Sequence, residues 1–528
     1  MRVVTRFLLV ILTGLFAVAS ALAQCPKRPA PGTVVHDALS LSSNNGVLSA
    51  ALTVKHSVDD GGYTHYCYKY EMPDGKEVES PTLRLNPGDT LELDVKDRID
   101  DADADAMPPM HHMADAQEKP CGDTGTPTIN SQNVHFHGMN IPPTCHSDNV
   151  ITTLIQPGTK PFHYKFQVPP DEPPGLYWYH PHVHGFAEFH VNGGEAGALV
   201  VEGMDKIHPE VQGLTERVFV IRQQFLIPWV PGPYQLTLNY EPAVFPNFPS
   251  PIIQMKPGEK QFWRVANATN QDFTPLQVWF NGEPQKLQVI ALDGYPLPKP
   301  RMQDTILVPP AGRAEFIVQA PTDNTVAATF ITRAYDTGPT GNPDIEEPLG
   351  NIVLTNDDVK EETKPTEPAQ TAPDRIKFRG LSDLKPTAER KLYFSEEFGG
   401  TNGPIQFYIT VDGQKQKVFD PNEKPAITTK VGAVEDWTVE NRALETHAFH
   451  IHQIHFQVLE IDGQPVDRQD LKDTIEIPYW EGRGHPYHSV KLRMDFRDPV
   501  IAGTFVFHCH ILLHEDLGMM HKILVQPN

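Results

Sequence analysis

Short runs in which apolar and polar positions alternate recur along the chain, and no long amphipathic helix interrupts them. Alternation with a period of two puts successive side chains on opposite faces of a strand. The runs are separated by stretches that draw on 51 prolines and 37 glycines, the residues of turns and loops. Three stretches repeat one another: Pro81-Thr-Leu-Arg-Leu-Asn-Pro-Gly88, Pro251-Ile-Ile-Gln-Met-Lys-Pro-Gly258 and Pro425-Ala-Ile-Thr-Thr-Lys-Val-Gly432. Each copy then reaches a valine seven residues on, at Val95, Val265 or Val439, and a polar Asp97, Asn267 or Asn441 two beyond. Strand, glycine turn, strand, repeated at offsets of 170 and 174 residues, predicts an all-β chain of three similar β-sandwich domains. Their expected ranges are 24–205, 206–356 and 376–528, with 357–375, rich in Glu, Lys, Thr and Pro, as a flexible linker between the last two.

The first 23 residues read differently. Arg2 and Arg6 precede an apolar run from Phe7 to Ala19, and Ala21-Leu22-Ala23 stands before Gln24. This is the pattern of a cleavable secretory signal, too short and wrongly flanked for a membrane span. No other segment is long and apolar enough to cross a bilayer, so a periplasmic or secreted protein without a membrane anchor is expected. The formal charge of −23 argues against nucleic acid and anionic membrane as partners. In an exported chain the four cysteines Cys25, Cys67, Cys121 and Cys145 suggest two disulfides. Three connectivities are open; Cys25–Cys67 with Cys121–Cys145 is the one expected, the second loop enclosing a histidine cluster.

The fifth cysteine carries the chemistry. In Phe507-His508-Cys509-His510-Ile511-Leu512-Leu513-His514-Glu515-Asp516-Leu517-Gly518-Met519-Met520 a thiol stands between two imidazoles, with a third imidazole five residues on and a thioether ten residues on. One Cys, two His and a weak axial Met make a blue-copper site. Phe505–His510 reads as a strand, so Cys509 faces one way and His508 and His510 the other. One strand then serves a copper on one face and other metals on the opposite face. Three further clusters follow the same logic: His135-Phe136-His137, His180-Pro181-His182, and His447-Ala448-Phe449-His450-Ile451-His452. His447 is an odd number of residues from His450 and His452. It therefore suits a place beside Cys509, His514 and Met519, while His450 and His452 join the other imidazoles. Histidines His163, His184, His190 and His455 have no expected role beyond structure.

These four clusters, in this order, resemble the copper-binding motifs of the multicopper oxidases, the family of laccases, ascorbate oxidase, ferroxidases and bacterial copper-efflux oxidases. The resemblance covers essentially the whole chain after the signal. It implies cupredoxin-like Greek-key sandwiches and four copper ions. Carried over by position, a type 1 copper takes His447, Cys509, His514 and Met519, with Met520 the poorer choice. A type 2 copper takes His135 and His450. A type 3 pair takes His137, His180 and His510 on one ion and His182, His452 and His508 on the other. The third cluster departs from the family's common form: Ala448 stands for a proline, and Gln453-Ile454-His455 follows, with no ligand lost. Asp148 and Glu515 resemble the carboxylates that the family places behind its ligands to supply protons. The second repeat has no histidine after Asn267, so it reads as a spacer, with the three-copper cluster between the first and third domains.

The resemblance implies one-electron oxidation of a reducing substrate coupled to four-electron reduction of dioxygen to water. Two substrate classes remain open. One is phenols and aromatic amines, as for a laccase. The other is a metal ion, Cu(I) above all, for which Met107, Met110, His111, His112 and Met113 are a candidate collecting segment. Thioethers favour Cu(I); the plainer reading is an acidic loop with incidental methionines, since Asp101, Asp103 and Asp105 precede them. A non-enzymatic copper carrier is disfavoured by the complete ligand set, and a two-domain nitrite reductase by the three repeats. Loops build the substrate pocket, and the sequence does not show their shape.

Overall fold

A computed structural model describes residues 24–58, 62–99, 120–224, 235–244, 246, 248–356, 377–378, 380–399, 405–466 and 470–528. The signal segment 1–23, the Met107–Met113 stretch and the linker 357–375 lie outside the described residues. The described chain is built from strands in three successive pairs of sheets, with short helices such as Ala187–Gly193 and Leu512–Asp516 between them. This is the all-β, cupredoxin-like architecture expected. Among the described residues no helix is long and apolar enough to cross a membrane.

The sequence repeat is the device that joins each pair of sheets. Its first strands, Thr82–Leu85, Ile252–Met255 and Ile427–Lys430, each pair in parallel with the strand that closes their own unit, Gly197–Val201, Glu347–Leu354 and Met520–Gln526. The turn then carries the chain to the other sheet, where Thr90–Asp97, Lys260–Ala268 and Ala433–Asn441 run. Gly88, Gly258 and Gly432 all turn with positive φ, +91°, +69° and +93°, a conformation that costs a side chain dearly. The polar residue that ends each repeat also has a structural job. The side-chain oxygens of Asp97, Asn267 and Asn441 accept a backbone N–H two residues on, from Ile99, Thr269 and Ala443. This turns the chain out of the sheet, and in the third unit it sends the chain toward His447.

Burial follows the alternation where one face of a strand is covered. Along Thr90–Asp97 every second residue is buried, and Leu91, Leu93 and Val95 share a core with Leu83, Leu85 and Leu199 of the facing sheet. The alternation vanishes in Gly175–His180, which is buried throughout. Tyr177 and Tyr179 enter the first core, while Leu176 and Trp178 pack on Val218, Val220 and Ala266 of the second unit. A second apolar seam, Val150 with Phe419, Val506 and Met520, joins the first unit to the third. Cys25 pairs with Cys67 and Cys121 with Cys145, as expected; the second bridge closes the loop that carries His135 and His137.

Candidate metal centre

Cys509 ends the buried strand Gly503–Cys509, which lies between His447–Ile451 and Met520–Gln526. The helix Leu512–Asp516 folds the chain back so that His514 returns to Cys509. The Cys509 sulfur is 3.5 Å from His447 Nδ1 and 3.8 Å from His514 Nδ1, and the two nitrogens are 3.3 Å apart. Cys509 donates its backbone N–H to Met519 O (3.1 Å), and Met519 donates to His514 O (2.8 Å), which closes the loop around the sulfur. Met519 shares the core that contains Cys509, whereas Met520 turns to the seam with Val150 and Phe419. Among the described residues Cys509 is the free cysteine. Burial pushes its thiol well up, and burial beside His447 pushes the His514 imidazole well down. A buried thiol beside two neutral imidazoles fits a metal ion, which a Cys509 thiolate would ligate.

On the other face of the same strand lie His508 and His510. They meet His135, His137, His180 and His182 of the first unit and His450 and His452 of the third, all eight at most 2 % exposed. His508 Nε2 is 3.2 Å from His452 Nε2 and 3.4 Å from His182 Nε2. The sets His182/His452/His508, His135/His137/His180 and His135/His450/His452 each bring their ligand atoms within 4.8 Å. His510 stands somewhat apart, its ring 5.0 Å from His137 and 5.5 Å from His180.

The unpaired nitrogens show what these rings await. His135, His180 and His450 each spend Nδ1 on an oxygen, of Asp148 (3.0 Å), Pro181 (2.9 Å) and Asp473 (2.9 Å) respectively. Each leaves Nε2 buried and without a partner among the described residues, as His137 leaves Nδ1 and His510 both nitrogens. Burial, and then neighbouring imidazoles, hold His137, His180, His182, His450, His452 and His510 well below the usual histidine range. Burial lowers His508 to about 3. Neutral rings that fix one nitrogen on an oxygen and aim the other into a shared space fit metal ligation.

Sequence models of the multicopper oxidases match residues 128–206, 219–354 and 399–528. The chain belongs to the multicopper oxidase family. It is thus a copper-dependent oxidoreductase. It is similar to the multicopper oxidase mco of Staphylococcus haemolyticus, 24% identical over 463 residues that cover 84% of this chain and 81% of that one. It is also similar to a laccase of Bacillus stratosphericus, 24% identical, covering 83% and 88%. A solved multicopper oxidase from Campylobacter jejuni, described as a metallo-oxidase, superposes with a TM-score of 0.66 at 23% identity, covering 95% and 96% of the two chains. McoA from Aquifex aeolicus gives 0.67 at 19% identity, covering 94% and 100%.

Asp148 and Glu515 both lie against the imidazoles. Asp148 accepts from His135 Nδ1 and from Phe136 N at 3.0 Å, and from Gln453. Glu515 lies 3.2 Å from His508 Nδ1 and 3.4 Å from His182 Nδ1, and burial beside Asp516 pushes its carboxyl well up. Asp516 accepts the N–H groups of Gly185, Ala187 and Glu188 and so locks this segment to the first unit.

Four charged residues escaped the sequence reading because no motif marks them. Asp473 faces His137 Nε2 at 3.3 Å and is gripped by Arg313 of the middle unit. Glu396 and Glu445 stand at the outer edges of the Cys509 site, 3.4 Å from His447 Nε2 and 3.6 Å from His514 Nε2. Burial and the neighbouring Glu396 push the Glu445 carboxyl up to about 8. The histidines given no role do make structural contacts. His163 pairs with Asp94, His190 with Ile129 O and His455 with Asp293 O, and His184 lies edge-on to Phe419. Beside His184 a cavity of about 330 Å³, walled by Val150, Leu154, Phe419 and Val506, reaches His182.

Proposed function

We propose that the chain is a four-copper oxidase that takes single electrons from a reducing substrate and reduces dioxygen to water. In this reading His447, Cys509, His514 and Met519 hold a type 1 copper. His135 and His450 hold a type 2 copper, and His137, His180, His510, His182, His452 and His508 a type 3 pair. Copper bound there would accept electrons one at a time beside Cys509 and supply four of them to dioxygen among the imidazoles. The observation that carries the reading is the strand end itself. Cys509 contacts His447 and His514 on one side, while its chain neighbours His508 and His510 face the imidazole cluster, a few covalent bonds away.

The chain's own groups divide the remaining work. Asp148 and Glu515 orient His135, His182 and His508, and they are carboxyls beside the cluster from which protons can be passed. The apolar cavity at His182 gives dioxygen a way in. The two disulfides and the apolar N-terminal run support a periplasmic or secreted location.

Phenols and aromatic amines are the first substrate class. A second reading, oxidation of a cation such as Cu(I), is favoured by Glu396 and Glu445, which set two carboxyl groups at the imidazole edges of the Cys509 site, where an approaching cation would favour their ionised form. Oxygen uptake by the copper-loaded protein tests both, with a phenol and stabilised Cu(I) run side by side. A variant lacking Met107, Met110 and Met113 serves as control. Uptake with the phenol, indifferent to those methionines, supports the laccase-like reading. Faster Cu(I)-driven uptake that falls in the triple variant supports the cuprous one. No uptake with either contradicts the oxidase.

A further inference from the structure

We propose that Arg313, from the unit that carries no imidazole ligand, is a positioning residue for the cluster: it holds Asp473 behind His137 and keeps that carboxylate off the metal. This rests on the copper assignment above. Arg313 opens the strand Arg313–Gln319 and is 1 % exposed. Its fork is fully used. Nη1 and Nη2 donate to the two oxygens of Asp473 at 2.8 and 2.5 Å. The remaining bonds go to the backbone oxygens of Ala311 (3.1 Å), Asp293 (2.8 Å) and Leu176 (3.2 Å). Leu176 lies on the strand that ends in His180, and Asp473 precedes the strand whose Thr474 is registered with His450. One guanidinium therefore ties the strand of a first-unit ligand to the strand beside a third-unit ligand, through the middle unit.

Asp473 in turn sets two tautomers. Its Oδ1 faces His137 Nε2 at 3.3 Å, and a carboxylate only accepts, so that nitrogen carries the proton and Nδ1 is left with its lone pair. Its backbone oxygen accepts from His450 Nδ1 at 2.9 Å, which leaves Nε2 free on that ring. The same carboxylate is near enough to compete as a ligand: His137, His450 and Asp473 bring their ligand atoms within 4.8 Å of one another. Both of its oxygens are engaged by Arg313, which restrains it from turning inward.

Gly138, next to His137, is shaped by this pair. A Cβ there would lie 2.4 Å from Arg313 Nη2 and 2.8 Å from Asp473 Oδ2, and the residue turns with φ +86°. The glycine makes room for the guanidinium–carboxylate pair. A buried ion pair is a poor stabilising device, since apolar replacements of like volume are often neutral or better. Its place directly behind two candidate ligands gives it a use that packing alone would not.

The test is electron paramagnetic resonance of the copper-loaded full chain for the parent, Arg313→Lys and Arg313→Met, with copper per chain counted on the same samples. The type 1 signal reports on the Cys509 site and serves as the fold control. The expected result is an unchanged type 1 signal and an altered type 2 signal in both variants, larger in Arg313→Met, with copper held in the cluster roughly 10–100-fold more weakly. Lysine keeps the charge but not the fork, so it rescues only in part. Adding Asp473→Asn to Arg313→Met should move the type 2 signal back toward the parent's, because the amide is the weaker ligand. A full copper load with a parental type 2 signal in Arg313→Lys overturns the proposal, whether or not Arg313→Met folds. A parent with neither signal would instead refute the copper assignment beneath it.

Discussion

Glu515 Oε2 lies 3.2 Å from His508 Nδ1, and its other oxygen lies 3.4 Å from His182 Nδ1, so one buried carboxyl touches rings from both halves of the imidazole cluster. Glu515→Gln keeps the shape and removes the proton-carrying group. Turnover should fall roughly 10–100-fold, while anaerobic bleaching, by the electron donor, of the blue colour that copper at Cys509 would give keeps its parental rate. An equal loss in both would mean that Glu515 serves the fold rather than the oxygen half of the reaction.

Glu396 and Glu445 each stand within 3.6 Å of the Nε2 nitrogen of His447 or His514. Glu396→Gln with Glu445→Gln should raise KM for a cationic donor several-fold above pH 8, where the Glu445 carboxyl is ionised, and leave KM for a neutral phenol within twofold. Steady-state kinetics with both donors decide it, and equal shifts for the two would remove charge as the cause.

The cavity walled by Val150, Leu154, Phe419 and Val506 has His182 in its lining. Val150→Phe should fill it. Lower kcat/KM for dioxygen is expected, by a factor of roughly 10, about 1.4 kcal/mol, with donor oxidation under saturating oxygen little changed. A parental oxygen dependence would show that dioxygen arrives by another way.

Asp272, Asp344 and Glu347 form a half-buried acidic group in the middle unit. Burial pushes Asp272 and Asp344 above the usual carboxylate range and Glu347 up to about 8. Folded-state values above the unfolded ones mean that the fold prefers these groups protonated. Their cost is therefore absent below about pH 4 and grows as pH rises through 8. Glu347→Gln should raise the apparent Tm at pH 8 to 9 by on the order of a few °C and change nothing at pH 4. Melting curves across pH check this, and a gain confined to acid would reverse the assigned sign.

The gathering of the histidines and Cys509 was legible because a strand alternates: His-x-His puts two rings on one face, and the odd spacing of His447 sends it to Cys509. Asp148 and Glu515 could be guessed because they sit near those motifs in the chain. The three units were legible from a repeat that proved to be one crossing between sheets, turned by glycine and ended by Asp97, Asn267 or Asn441. Arg313, Asp473, Glu396 and Glu445 were not legible. They reach the site from strands and turns that carry no motif, and only packing of the three units against one another brings them there. The full burial of Gly175–His180 was hidden for the same reason, since its second face is covered by a different unit.

The most direct test of the central claim is the electron count per dioxygen consumed by the copper-loaded protein, with hydrogen peroxide assayed in the same vessel. A Cys509 centre joined to an imidazole cluster predicts four donor electrons per dioxygen and no peroxide. Two electrons per dioxygen with peroxide accumulating would contradict it.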